Sequence, residues 1–127
     1  MSSSTTRHRT TRLLAGLGLA SGLLLVTRPQ QVLDRLAPAF PAERRWLIRV
    51  LGARLVAQHA VVLLAPAPDV VRVASAVDLV HAASMVPFVA SRRYGRAARI
   101  SGGLAAAYAA VALGLAPPTD RPAPSAG

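Results

Sequence analysis

Residues 46–90, WLIRVLGARLVAQHAVVLLAPAPDVVRVASAVDLVHAASMVPFVA, decide how this chain folds. The stretch reads as two long apolar helices joined by the Pro-rich turn Ala65-Pro66-Ala67-Pro68-Asp69. Pro68 and Asp69 suit a helix start, because Pro needs no backbone N–H there and a carboxylate meets the positive end of the helix dipole. Within the apolar sequence lie Arg54, Gln58 and His59 on one helix and Asp78 and His81 on the other. With the helices antiparallel about the turn, Arg54 lies level with His81, and Gln58 lies level with Val77, beside Asp78. Arg54 and Asp78 then differ by three residues in depth, roughly 4.5 Å at helical rise. An Arg side chain spans that offset.

The composition points to lipid as the solvent. The chain has 127 residues, one domain's worth, with 53% hydrophobic and only 4% aromatic residues. Its mean hydropathy is +0.42. A water-soluble core would have to be built from Ala, Leu and Val, and four apolar runs would have to share it. In a bilayer their outward faces can remain apolar. All 15 basic residues are Arg and the net charge is +10. Most arginines flank the apolar runs, as anchors facing anionic headgroups do, so a bilayer rather than a nucleic acid is the expected partner. There is no cysteine, which excludes disulfides and thiolate chemistry.

Working outward, residues 1–11 are rich in Ser, Thr and Arg and are expected to be a disordered tail. The apolar run Leu13–Val26 is short against the roughly 20 residues of a usual span, but Arg12 and Arg28 can snorkel from its ends. A signal peptide is the rival reading. No small-residue cleavage site closely follows Val26, which favours a retained helix. Gly18 and Gly22 form a G-x-x-x-G pattern that lets another helix approach closely. Residues 29–40 read as an interfacial helix of two turns at most, with Val32, Leu33, Leu36 and Phe40 on one face and Pro38 ending it; an ordinary polar loop is the alternative. Pro87 is expected to kink the third span and deprive the Ala83 carbonyl of its partner, and Gly95 to cap that span. In the fourth span Ala98, Gly102, Ala106, Ala110 and Gly114 recur every four residues as a small-residue packing ridge. Pro117 and Pro118 end it.

The expected architecture is an all-α, four-helix transmembrane bundle covering residues 12–116. Its spans lie at about 12–27, 43–65, 69–91 and 97–116, with the interfacial helix between the first and second and a disordered tail at 117–127. Arginine bias is divided. Eight arginines fall in 28–45 and 92–99, against Arg7, Arg9, Arg12, Arg72 and Arg121 on the other side, which favours cytoplasmic placement of the 28–45 and 92–99 segments. The basic start of the first span pulls the other way.

An ionised Arg or Asp near the bilayer centre costs about 3 kcal/mol or more on insertion scales. Pairing Arg54 with Asp78, with Gln58 and His81 completing the hydrogen bonds, relieves that cost. The set reads either as a structural clamp fixing helix register or as a proton- or ligand-handling site, since intramembrane ionisable groups mark pathways. No H-E-x-x-H, G-x-S-x-G, Walker or G-x-G-x-x-G pattern is present, and no catalytic residue, metal ligand or cofactor is assigned. His59 and His81 differ in depth by about 7.5 Å, poor geometry for two axial ligands of one haem.

The run Arg49-Val-Leu-Gly52-Ala-Arg54-Leu-Val-Ala-Gln58, followed by Asp78 and His81, resembles the small four-helix membrane proteins of the DoxX-like and neighbouring families over roughly residues 45–115. The resemblance rests on the Arg-x-x-Gly-x-Arg pattern and implies a four-helix membrane bundle. His59 departs from it, standing where such helices often carry a small residue. The expected role is that of a structural or accessory component of the inner (plasma) membrane, alone, as a homo-oligomer or with a membrane-protein partner. The alternatives are a small oligomeric proton-coupled transporter using Asp78 and His81, and a membrane redox accessory protein.

Overall fold

The computed structural model describes residues 2–115, and those residues form helices and turns with no strand among them. Four of the helices are long and apolar enough to cross a membrane. The first, α1, is Ser2–Thr27. It takes in residues expected to be a tail: Thr10 Oγ1 donates to the Thr6 carbonyl at 2.9 Å, the inward bond that lets a hydroxyl sit on a helix. Once Leu13–Val26 is helical, extending the same ladder toward the N-terminus needs no new nucleus. Within α1, Ser4–Thr27, 24 residues, is long and apolar enough to cross a membrane, with Arg7, Arg9 and Arg12 in its first turns. The 117–127 tail, with Pro117 and Pro118, lies outside the described residues.

Helix α2, Pro29–Leu36, is the short interfacial element, with Pro29 at its start. It stops where the residue before Pro38 disfavours helical backbone: Ala37 has φ −149° and ψ 65°. Leu33 and Ala37 are buried against Ile48, with Leu25, Phe40 and Ala97 around them, while Leu36 stays exposed. A single 3₁₀ turn, Ala42–Arg44, leads into α3, Arg45–Leu64. After the Pro-rich turn, α4 runs Pro68–Met85.

The end of α4 differs from the expectation. The α-helix stops at Met85, and Val86–Phe88 form a 3₁₀ turn containing Pro87. The Ala83 carbonyl does not lose its partner, because the Val86 N–H donates to it. Shifting to the tighter i→i−3 pattern is how this chain accommodates a residue without an N–H. Gly95 does not cap α4; it opens α5, Gly95–Leu115. Its N–H donates to Ser91 O at 2.8 Å, and a Cβ there would lie 2.6 Å from the Val89 carbonyl oxygen.

Small residues determine the pairing. Helix α1 packs on α3, and α4 packs on α5, whereas α3 and α4, neighbours in the chain, meet sparsely. Gly22 and Gly52 face each other at the first seam: a Cβ on Gly22 would lie 2.8 Å from Gly52 O, and one on Gly52 2.7 Å from Gly22 O. At the second seam Gly102 sits under Met85, where a Cβ would meet the Met85 Cβ at 3.1 Å. Buried residues of α5 are Gly95, Ala98, Gly102, Ala105 and Ala109. Ala106, Ala110 and Gly114, expected in the ridge, are exposed. A step of four residues overshoots one helical face by about 40° each time, while alternating steps of four and three stay on it.

Candidate polar site between the helix pairs

The two helix pairs are joined by side chains rather than by close backbone packing. Asp78 on α4 is buried. Its Oδ1 accepts from Arg54 Nη2 at 3.3 Å and its Oδ2 from Gln58 Nε2 at 2.9 Å. Arg54 Nη1 also reaches the Val77 carbonyl, and Gln58 Nε2 the Ala74 carbonyl, each at 3.4 Å. Arg54 and Gln58 converge because residues four apart on a helix share a face. Every one of these bonds crosses from α3 to α4. Around Asp78 both carboxylate oxygens are thus occupied, one of them in an ion pair with Arg54.

The set is not fully satisfied. Arg54 Nε and Gln58 Oε1 are buried without a partner. Of the five N–H donors of a guanidinium, those of Arg54 make two bonds, both long.

His81, expected in the cluster, points to α5 instead: its Nε2 lies 3.2 Å from Ser101 Oγ. It shares a cleft with Arg54 but bonds to neither Arg54 nor Asp78. His59 holds a place that sequence reasoning left open. It is buried, and its Nδ1 lies 2.8 Å from the Leu55 carbonyl, so Nδ1 must carry the proton, since a carbonyl only accepts. Its ring packs against the face of α1 at Gly18. It also meets Tyr108 of α5 edge-on, with centroids 5.6 Å apart. The His59 ring therefore lies between α1 and α5. Ser101 and Tyr108 carried no sequence signal, because their partners lie in other helices. Gly18 and Gly22 lie against α3, whereas Ala106 and Ala110 are exposed.

Of the clefts that touch the polar set, two reach both Arg54 and Ser101. One of about 440 Å³ lies between α3 and the α4–α5 pair, walled by Leu47, Leu51 and Met85, with Arg54, His81 and Ser101 at its polar end. The other, about 280 Å³, lies on the α1 side and touches Arg54, Asp78, His81, Ser101 and Tyr108. Among the described residues no group of His, Asp or Glu is placed to hold a metal ion. No known protein family, curated protein or solved structure matches this chain.

Proposed function

We propose that this chain is a multi-pass protein of the inner (plasma) membrane, a structural or accessory component in which Arg54, Gln58 and Asp78 clamp two tight helix pairs together. The observation that supports it is the concentration of bonds on Asp78 where α3 and α4 otherwise meet sparsely. In hydrocarbon neither charge can turn to water, so each is held by the other. Truncating one partner leaves the other charge uncompensated, at a cost of about 3–5 kcal/mol for a buried pair.

The Arg49-x-x-Gly52-x-Arg54 pattern supports placing the protein among the DoxX-like four-helix proteins. Gly52 gives that pattern a packing role and Arg54 a clamping role. The transporter reading has less support, because Asp78 commits both oxygens to Arg54 and Gln58, and His81 turns to Ser101. The redox reading has no residue or cleft that favours it specifically.

A double-mutant cycle in detergent tests the clamp. Asp78→Asn and Arg54→Gln should each lower thermal stability. The pair together should lose clearly less than the sum, because removing both leaves no orphaned charge. Two neutral single substitutions would end the clamp reading. Intact stability with loss of a pH-dependent flux in proteoliposomes would replace it with transport.

A further inference from the structure

We propose that the cleft between α3 and the α4–α5 pair binds a neutral, lipid-soluble molecule through a carbonyl-type acceptor oxygen held by the Arg54 guanidinium. This rests on the bilayer placement proposed above and goes beyond the clamp. The cleft's volume, about 440 Å³, falls in the range of small-molecule sites, and its make-up is theirs too: apolar walls with a few convergent polar groups. Leu47, Leu51 and Met85 supply the wall, Arg54, His81 and Ser101 converge at one end, and Arg44 lines the cleft at the other, where α3 begins.

Arg54 decides what that end recognises. One N–H on each of its two Nη atoms has no protein acceptor, a third unpaired donor on Nε being buried, and its side chain keeps 26% of its surface exposed. A donor-rich group selects acceptors, and a bond to a charged donor is among the stronger ones. Electroneutrality then selects the kind of acceptor. Arg54 is already balanced by Asp78, and Arg44, the cleft's other arginine, lies about 15 Å away by helical rise, so a carboxylate added at the Arg54 end would leave a net negative charge in the apolar interior. An uncharged carbonyl adds the hydrogen bond without the charge. Depth keeps the ester oxygens of a phospholipid away from Arg54. Arg54 lies twelve residues into the 23-residue span Ala42–Leu64, about 18 Å from its start by helical rise, whereas glycerol esters sit at the headgroup level. The occupant is therefore a free apolar molecule that can bring its oxygen to mid-bilayer.

The test uses the full chain in phosphatidylcholine nanodiscs with a long-chain methyl ketone carrying a photoreactive diazirine on its tail. The competitors are an unlabelled methyl ketone, an alkane and a carboxylate of equal chain length. Labelling should concentrate on peptides containing Leu47–Leu51, Met85 and Ser101. The ketone should compete about tenfold or more better than the alkane, the factor that one hydrogen bond to a charged group gives. Leu51→Trp, which fills the cleft while leaving Arg54, Gln58 and Asp78 in the chain, should abolish labelling while helical content and elution stay unchanged. Arg54→Gln should erase the preference for ketone over alkane. Labelling spread evenly over lipid-facing residues would overturn the proposal, as would equal competition by alkane or stronger competition by carboxylate. Wild-type competition needs no variant to fold, and a clamp that fails its stability cycle would leave this readout independent.

Discussion

Gly52 shows what a single missing side chain does here. It lies between two arginines in the sequence, and only the fold reveals that its bare face rests on Gly22. Gly52→Ala should force α1 and α3 apart, since the new methyl would sit 2.7 Å from a carbonyl oxygen, well inside van der Waals contact. The expected loss is about 1–3 kcal/mol, typical of overpacking, read as a lower thermal midpoint in detergent. Gly16→Ala is the matched control, because nothing lies within 4 Å of a Cβ there. Removing a helix-interior glycine should leave that midpoint unchanged or raise it. An equal loss at both sites would mean that propensity, not close approach, governs these positions. At this scale the sequence is uneven. The spacing of Gly18 and Gly22 marks a close contact, and the depths of Arg54, Gln58 and Asp78 mark a polar bridge. The roles of His59, Ser101 and Tyr108 are invisible in it, since each depends on which distant helix stands opposite.

Between elements, chain order misleads and side-chain size decides. A short turn makes α3 and α4 sequential neighbours, yet their facing surfaces carry Arg54, Gln58 and Asp78, which hold the backbones apart. The faces free of bulk, at Gly22 and Gly52 and at Gly102, Ala105 and Ala109, form the tight seams, as expected where helices associate by packing rather than by a hydrophobic driving force. The existence and extent of the four spans are legible from apolar runs and their punctuation. The pairing is not, because nearly every helix here offers a small-residue stripe. Helix α5 makes the point testable. Ala109 is fully buried and Ala110 is exposed, although a period-four reading selects Ala110. Ala109→Leu should destabilise the protein by about 1–3 kcal/mol through overpacking, and Ala110→Leu should leave the folded monomer intact, both followed by thermal unfolding in detergent. Equal losses at the two sites would restore the period-four ridge by placing Ala110 in a contact with a further chain.

The whole molecule is turned inside out relative to a water-soluble domain. Among the described residues its buried apolar side chains are mostly alanines, with Pro29, Leu33, Ile48 and Val62 larger, while Leu17, Leu64, Val80, Leu104 and others are exposed. A surface of that kind is stable where lipid covers it, and the arginines then fix which way round it sits. Arg28, Arg35, Arg44, Arg45, Arg92, Arg93, Arg96 and Arg99 lie at one end of the four spans, with the 65–67 turn and the start of α1 at the other. The larger positive cluster belongs on the cytoplasmic side, which puts Ala67 outside and Ala39 inside. The basic start of α1 opposes this with Arg7, Arg9 and Arg12. The outcome therefore measures whether the total count or the first span dominates. The absence of native cysteine makes the measurement clean. Ala67→Cys should react with a membrane-impermeant maleimide on intact cells, and Ala39→Cys only after permeabilisation. The reverse pattern would give the first span control of orientation and leave the four spans in place. Labelling of both sites in intact cells would mean that the segments between them do not cross the bilayer as a pair, and the multi-pass reading would fall with it.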